Sequence, residues 1–221
     1  MQKYDIDKTF YSQVKATKKT VAVMKMFGLD LERLRVKAFT HKCRFTLDDG
    51  DICYIVGASG AGKSVILREI YSQTPENQRV RLDDIELEDD RSVVDCIDGS
   101  FFESLKALSK AGLNDVFTVL QTPSKLSEGQ KYRYRLAKAI ASGAKTIFAD
   151  EFCSNLDRIT AAVIAYNIHK LAKRFGRRFV LASSHDDLLG DLAADVLVIK
   201  HLTGKTEVVY RNAKRGENGS A

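Results

Sequence analysis

Residues 57–64 read Gly-Ala-Ser-Gly-Ala-Gly-Lys-Ser, a spacing whose chemistry is phosphate binding. Gly57, Gly60 and Gly62, with the small Ala58, Ser59 and Ala61 between them, let backbone amides wrap β- and γ-phosphate oxygens. Lys63 supplies a positive charge to those oxygens, and the Ser64 hydroxyl is placed to ligate Mg²⁺. An apolar run, 52–56, precedes the loop, and Val65, Ile66, Leu67, Ile70 and Tyr71 follow at helical spacing. The loop therefore sits between a strand and a helix whose N-terminus adds donors and a favourable dipole. A bare glycine turn explains the pattern poorly, because residue types and context agree.

Three further groups of residues fit the same chemistry. Thr146-Ile-Phe-Ala is an apolar strand ending in Asp150 and Glu151. Asp150 would hold Mg²⁺ directly or through water, and Glu151 would act as general base on an attacking water. Taken alone, the pair equally suits an exposed strand end. Leu126-Ser127-Glu128-Gly129-Gln130 opens a second predicted helix, which makes a second anion-binding terminus. One nucleotide needs only one such site per chain, so the second makes sense if it reaches a nucleotide held by another subunit. His185 follows Leu181-Ala-Ser-Ser. By itself it reads as a satisfied histidine at a strand end.

The elements that must position these residues alternate. Strands are expected over 38–47, 52–56, 146–149 and 178–183, and a hairpin over 196–200 and 207–210 around Thr203-Gly204. Helices are expected after residue 64 and over 128–142, 158–175 and 186–192. A helical pattern runs through 89–121 with a break at Ala111-Gly112-Leu113, while 79–87 reads as a strand pair or an edge strand. Residues 20–27 suit a strand or a short helix, and 30–35 a helical turn or a loop. The polar tail from Asn212 should fray. This alternation gives an α/β class with a mostly parallel sheet. Residues 1–37 stay without an assigned role, and 212–221 is the tail.

Composition narrows the class further. The chain has 221 residues, 44% hydrophobic and 29% charged, which excludes a mainly disordered, collagen-like or coiled-coil protein. Apolar runs such as 196–199 are far short of the roughly 20 residues needed to span a bilayer, and no secretory signal opens the chain. A cytoplasmic protein without direct membrane insertion is expected. The net charge of +6 favours anionic partners. Basic clusters at 15–19, 131–138 and 173–178 read as solvated faces or, more sharply, as a nucleic-acid track. Cys43, Cys53, Cys96 and Cys153 form no C-x-x-C pair, and the four histidines show no metal-ligand spacing with them. Buried, reduced thiols and no structural metal are expected.

Over roughly residues 38–210, the ordered set of motifs resembles the nucleotide-binding cassette of ABC-type ATPases. The phosphate loop is 57–64, the signature motif is 126–130 with Glu128 at its variable place, and the Walker B strand ends at Asp150 and Glu151. The D-loop reads Ser154-Asn155-Leu156-Asp157, and His185 stands as the switch histidine. The resemblance implies a P-loop NTPase fold with an antiparallel β portion, and residues 38–211 as the ATPase domain with about 89–142 as a reduced helical subdomain. It also implies ATP and Mg²⁺ as cofactors and a head-to-tail dimer, with itself or a related cassette. Each ATP would lie between one phosphate loop and the Ser127, Gly129 and Gln130 of the other copy. His185 would contact the γ-phosphate, Glu151 would polarise water, and Asp157 would couple the two sites.

The chain also departs from that family. Val65 stands where Thr or Ser usually contacts the α-phosphate. No glutamine occurs in 82–94, where a Q-loop is expected, and the stretch from phosphate loop to signature is short. Phe27 is the candidate to stack on adenine, with a core role equally open, and Tyr11 is the reserve. These departures favour a soluble ABC ATPase working with nucleic acid or a partner enzyme, similar to a subgroup associated with an acetyltransferase-like domain. The alternatives are the ATP-binding subunit of a membrane transporter and an ATP-gated clamp with little turnover.

Overall fold

The computed structural model describes residues 1–11, 15–29 and 38–212. Strand β1 (Gln2–Tyr11) pairs antiparallel with β2 (Ala38–Leu47), Gln2 opposite Leu47 and Tyr11 opposite Ala38. The sequence left 2–11 without an element. Tyr4 and Ile6 point to one side of β1 and are buried, and Lys3, Asp5 and Asp7 point away, the period-2 pattern of a half-buried strand. Thr17 and Thr20 form a capping box for helix α1 (Lys18–Met26), which settles the strand-or-helix choice there. Residues 30–35 and 213–221 lie outside the described residues.

The main sheet has six strands in the order β4-β5-β6-β3-β7-β8. They are β3 (Ile52–Val56), β4 (Arg79–Arg81), β5 (Thr146–Ala149), β6 (Arg178–Ser183), β7 (Val196–Lys200) and β8 (Thr206–Tyr210). All neighbours are parallel except β7 and β8, whose hairpin is antiparallel. Ile52, Tyr54 and Val56 face one core with Ile147, Ala149, Phe179 and Leu181. Cys53 and Ile55 face the opposite core with Phe148, Val180 and Ala182. Burial on both faces explains why β3 reads as an uninterrupted apolar run.

Helix α2 (Lys63–Gln73) covers the second face with Ile66, Leu67 and Ile70, beside Tyr4, Ile6, Phe45 and Leu47 of the β1–β2 pair. Burying each large apolar side chain contributes about 1.5–3 kcal/mol. The first face is covered by α5 (Glu128–Ala141) and α6 (Arg158–Phe175). In α6 the buried Ala161, Ile164, Ala165, Ile168, Leu171 and Ala172 recur at the three- and four-residue spacing of one helix face. All four cysteines are buried and free.

The helical region is smaller than its sequence pattern predicts. Residues 101–110 and 116–120 form helices, α3 (Phe101–Lys110) and α4 (Val116–Leu120), but 89–100 is not helical. Ser92 Oγ donates to the Asp95 carboxylate, and Ser100 with Glu103 forms the capping box that starts α3. Such side-chain bonds compete with helix formation. The segment is held instead by Val93 N–H donating to Gln121 O and Val94 N–H to Val119 O. A short helix α7 (Leu189–Leu192) precedes β7. Among the described residues, no helix is long and apolar enough to cross a membrane.

Candidate nucleotide site

Strands β5, β6 and β3 are adjacent and parallel, with Ala149 opposite Leu181 and Ser183 opposite Val56. Their C-terminal ends therefore deliver Asp150 and Glu151, the His185 loop and the phosphate loop to one edge of the sheet, where ligands of open α/β folds collect.

Gly62 is the N-cap of α2, in the left-handed region at φ +98°. A Cβ there would lie 2.1 Å from Cε1 of the His41 ring, so Gly62 is required both by conformation and by close approach. The Lys200 carbonyl lies equally close beneath Gly57. Ala58, Ser59 and Gly60 form the exposed lip of the loop, and Ala61 is buried, its N–H donating to Ala58 O. Lys63 Nζ donates to Gly57 O (2.7 Å), Ala58 O (3.0 Å) and Ser184 Oγ (3.1 Å). Burial lowers its ammonium below the usual lysine value, and Asp150 and Glu151 oppose that shift. Ser64 and Val65 follow on the first turn of α2, half-buried.

Asp150 accepts the Glu151 N–H at 3.0 Å. Glu151 sits at φ +46° and Cys153 at φ +57°, two positive-φ residues in a three-residue turn, which is costly unless the surroundings enforce it. They are enforced by Phe152 N–H donating to Ala182 O at 2.7 Å and by Cys153 N–H donating to the Tyr132 hydroxyl. Phe152 is buried edge-on to Tyr54, while Glu151 is exposed. The turn thus anchors its ring in the core and turns its carboxylate outward. Burial pushes the Cys153 thiol up to about 12, which keeps it inert. His185 is exposed; its carbonyl accepts from the Tyr54 hydroxyl at 2.7 Å and its N–H donates to Ser183 Oγ.

Asp150 and Glu151 share a cavity of about 260 Å³ with Asp83, Tyr132, Arg135 and Asn155. The sequence reading missed Asp83. It lies in the short 3₁₀ turn Leu82–Asp84 that follows β4, the strand beside β5, and an acidic pair directly after a short apolar-and-basic strand was the available signal. Burial pushes its carboxyl up, Arg81 opposes and Asp150 reinforces the rise. Arg135 enters from α5 and donates to Ile85 O.

Ser127 is the N-cap of α5. Its hydroxyl accepts from Gln130 N–H while the Gln130 side chain accepts from Ser127 N–H and donates to Thr118 Oγ1. Gly129 faces the D-loop, where a Cβ would come 3.2 Å from Leu156 Cδ2 and 3.3 Å from Asn155 O. Asp157 caps α6 by accepting the Thr160 N–H, and hydrogen bonds from the Thr160 hydroxyl and then its N–H hold the Asp157 carboxyl below the usual range. Phe27 is 69% exposed at the C-cap of α1, so it has no core role. The side chain of Tyr11 lies outside the described residues.

The oxygen-only pair of Ser64 and Asp150 fits Mg²⁺, a hard cation that is bound through one or two protein oxygens plus phosphate and water. Among the described residues, no group of three or more His, Cys, Asp or Glu is placed to hold a metal ion.

His41 is 5% exposed beneath this loop. Burial first and Lys200 second hold its imidazole below the usual histidine value. A buried neutral histidine binds fewer protons folded than unfolded, so its contribution to stability is present above about pH 6.5 and is lost as pH falls through the lowered folded value. The urea midpoint should therefore fall between pH 7.5 and pH 5.5, and fall less in His41→Gln. Parallel slopes in the two proteins would exclude His41 as the source.

A family model described as ABC transporter matches residues 40–100. The methionine import ATP-binding protein MetN of Haemophilus influenzae is 27% identical over 211 residues, covering 80% of this chain and 60% of that protein. MetN of Streptococcus mutans is 29% identical over 195 residues, covering 70% and 54%. The chain thus spans little more than half the length of these curated relatives. Among solved structures, a dimeric post-hydrolysis state of the ATP-binding cassette MJ0796 bound to ADP and Pi has a TM-score of 0.67 at 16% identity, covering 96% of this chain and 98% of that one. The cbiO1 structure from Clostridium perfringens has a TM-score of 0.58 at 17% identity, with 80% and 83% covered. The segments read as phosphate loop, Walker B strand, signature helix and switch loop are thus presented by a sheet with the fold of ABC-type ATP-binding cassettes.

Proposed function

We propose that the chain binds Mg²⁺-ATP between two copies packed head to tail, hydrolyses it, and couples the cycle to a membrane transport partner on the cytoplasmic side. The observation that carries the ATPase reading is the delivery of Lys63, Asp150, Glu151 and the His185 loop to one edge by three adjacent parallel strands. The amides of 57–64 and Lys63 hold the triphosphate, with Ser64 and Asp150 as the metal's protein ligands. Bound there, Mg²⁺ neutralises charge on the transferring phosphoryl group. Glu151 takes the proton of the attacking water, and His185 donates to the γ-phosphate and aligns that water. Ser127, Gly129 and Gln130 of the facing copy close the site, and Asp157 lies at the seam.

Transport is favoured by the relatives, which are import ATP-binding proteins by name. The helical region also leaves Phe101, Phe102, Phe117 and Leu120 at least 64% exposed, a surface suited to an apolar partner. The nucleic-acid track loses ground because two of its three clusters, 131–138 and 173–178, are largely occupied internally. Lys131 pairs with Glu128 and Lys138 with Glu88, Arg133 donates to Gly112 O, and Lys173 pairs with Asp195. Arg178 bonds Gln2 and Arg177 donates to Ile140 O. No relative compared supports an acetyltransferase partner.

Steady-state hydrolysis by the purified chain, with and without duplex DNA at low and moderate salt, tests the choice. Hydrolysis should require Mg²⁺, stop with a chelator, and ignore DNA. Stimulation by DNA that fades with salt would restore the nucleic-acid reading.

A further inference from the structure

The loop that carries His185 is exposed from Ser184 to Asp187, so something must fix where the imidazole points. Tyr54 and Ser183 hold its near end through the His185 main chain. The far end is held by Arg158. Its Nη2 donates to the Asp187 main-chain oxygen at 2.5 Å, Nη1 lies 3.2 Å from the Asp187 carboxylate, and Nη2 lies 3.4 Å from Asp191. One guanidinium thus grips the loop through its backbone and a carboxylate, a fork that a lysine cannot reproduce.

Arg158 is also the first residue of α6, directly after the D-loop and its N-cap Asp157. The D-loop in turn packs against Gly129 at the start of α5. A continuous line of contacts therefore runs inside one chain, from Gly129 through Asn155 and Leu156 to Arg158, and from Arg158 to the His185 loop. We infer that Arg158 is a positioning residue that sets the His185 loop from the D-loop, so that the imidazole is aligned only while the signature segment and D-loop hold their places. The role presupposes ATP hydrolysis at this site. It does not concern stability, because Arg158 and Asp187 are both about half exposed and such surface pairs add little to folding.

The test compares wild type, Arg158→Ala, Arg158→Lys, His185→Ala and the double variant Arg158→Ala/His185→Ala. Arg158→Ala should lower kcat about 10-fold with unchanged ATP affinity and melting temperature, a size in keeping with misplacing a group near the reaction. Arg158→Lys should recover part of that loss. In the His185→Ala background, removing Arg158 should cost nothing further. Multiplicative losses in the double variant, or a loss of ATP affinity as large as that of kcat, would overturn the assignment. Hydrogen exchange gives a readout that needs no activity. Amides 185–188 should exchange faster in Arg158→Ala than in wild type, and equal protection would refute the clamp. A wild type that hydrolyses no ATP would instead sink the ATPase reading, leaving the exchange result to decide the clamp.

Discussion

Glu151→Gln should abolish most ATP hydrolysis, by about 10²–10⁴-fold, the usual contribution of a positioned general base, while ATP binding persists. The substitution is nearly isosteric. It keeps an oxygen that can accept a hydrogen bond from water but removes the basicity needed to take the proton. Glu151 is exposed, its backbone is held at φ +46° by bonds of Phe152 and Cys153 rather than by its own side chain, and the core ring of Phe152 is untouched. The proposed phosphate loop, 57–64, is contributed by a different strand-helix junction, so affinity has no reason to fall. Phosphate release and equilibrium ATP binding measured on the same preparation separate the two effects. Normal turnover in this variant would move the base elsewhere, and Asp83, which shares the cavity with Asp150 and Glu151, would be the first residue to replace.

The parts of the site legible in the sequence are those where one residue type has few other uses. Gly57, Gly60, Gly62 and Lys63 read as a phosphate loop because a run of glycines between an apolar strand and a helix has little other purpose, and the strand and helix lie where the pattern places them. The buried strands β3, β5 and β6 were equally plain, as continuous apolar runs. What escaped depends on contacts distant in sequence. Residues 89–100 carry helical periodicity, yet they are pinned to α4 by Val93 and Val94, and periodicity cannot register a competing tertiary bond. Strand β1 was missed because only Tyr4 and Ile6 of its first half are buried, which leaves a short alternation among charges. Asp83 escaped because the acidic pair Asp83-Asp84 is a weak local signal, common in turns. Its meaning comes from β4 lying beside β5, a pairing across about 65 residues. The ion pairs of the basic clusters were hidden for the same reason, since Glu88 and Asp195, which take up Lys138 and Lys173, lie distant in the chain.

Ser127→Arg should eliminate ATP-dependent dimerisation while the monomer stays folded. Ser127 has two tasks that the substitution separates. As N-cap of α5, its hydroxyl accepts from Gln130 N–H, and losing a cap costs about 0.5–2 kcal/mol. The other bond of the capping box can persist, because the Gln130 side chain bonds the Ser127 N–H and not its side chain. As the exposed lip of a helix N-terminus, Ser127 would leave room, in the proposed dimer, for the phosphate held by the facing copy, and a helix start attracts such an anion through free amides at short range. An arginine side chain fills that room from the same backbone position. Its charge does not compensate, because the oxygens it reaches can no longer approach the amides. Ser127→Ala, which loses the cap without adding bulk, is the control for stability and should still dimerise. Sedimentation in Mg²⁺-ATP, in the Glu151→Gln background where the ligand is not consumed, reads the outcome directly. A dimer that survives Ser127→Arg would mean that the two copies do not meet across the signature helix, and the closing of each site by its neighbour would have to be abandoned even if hydrolysis itself were confirmed.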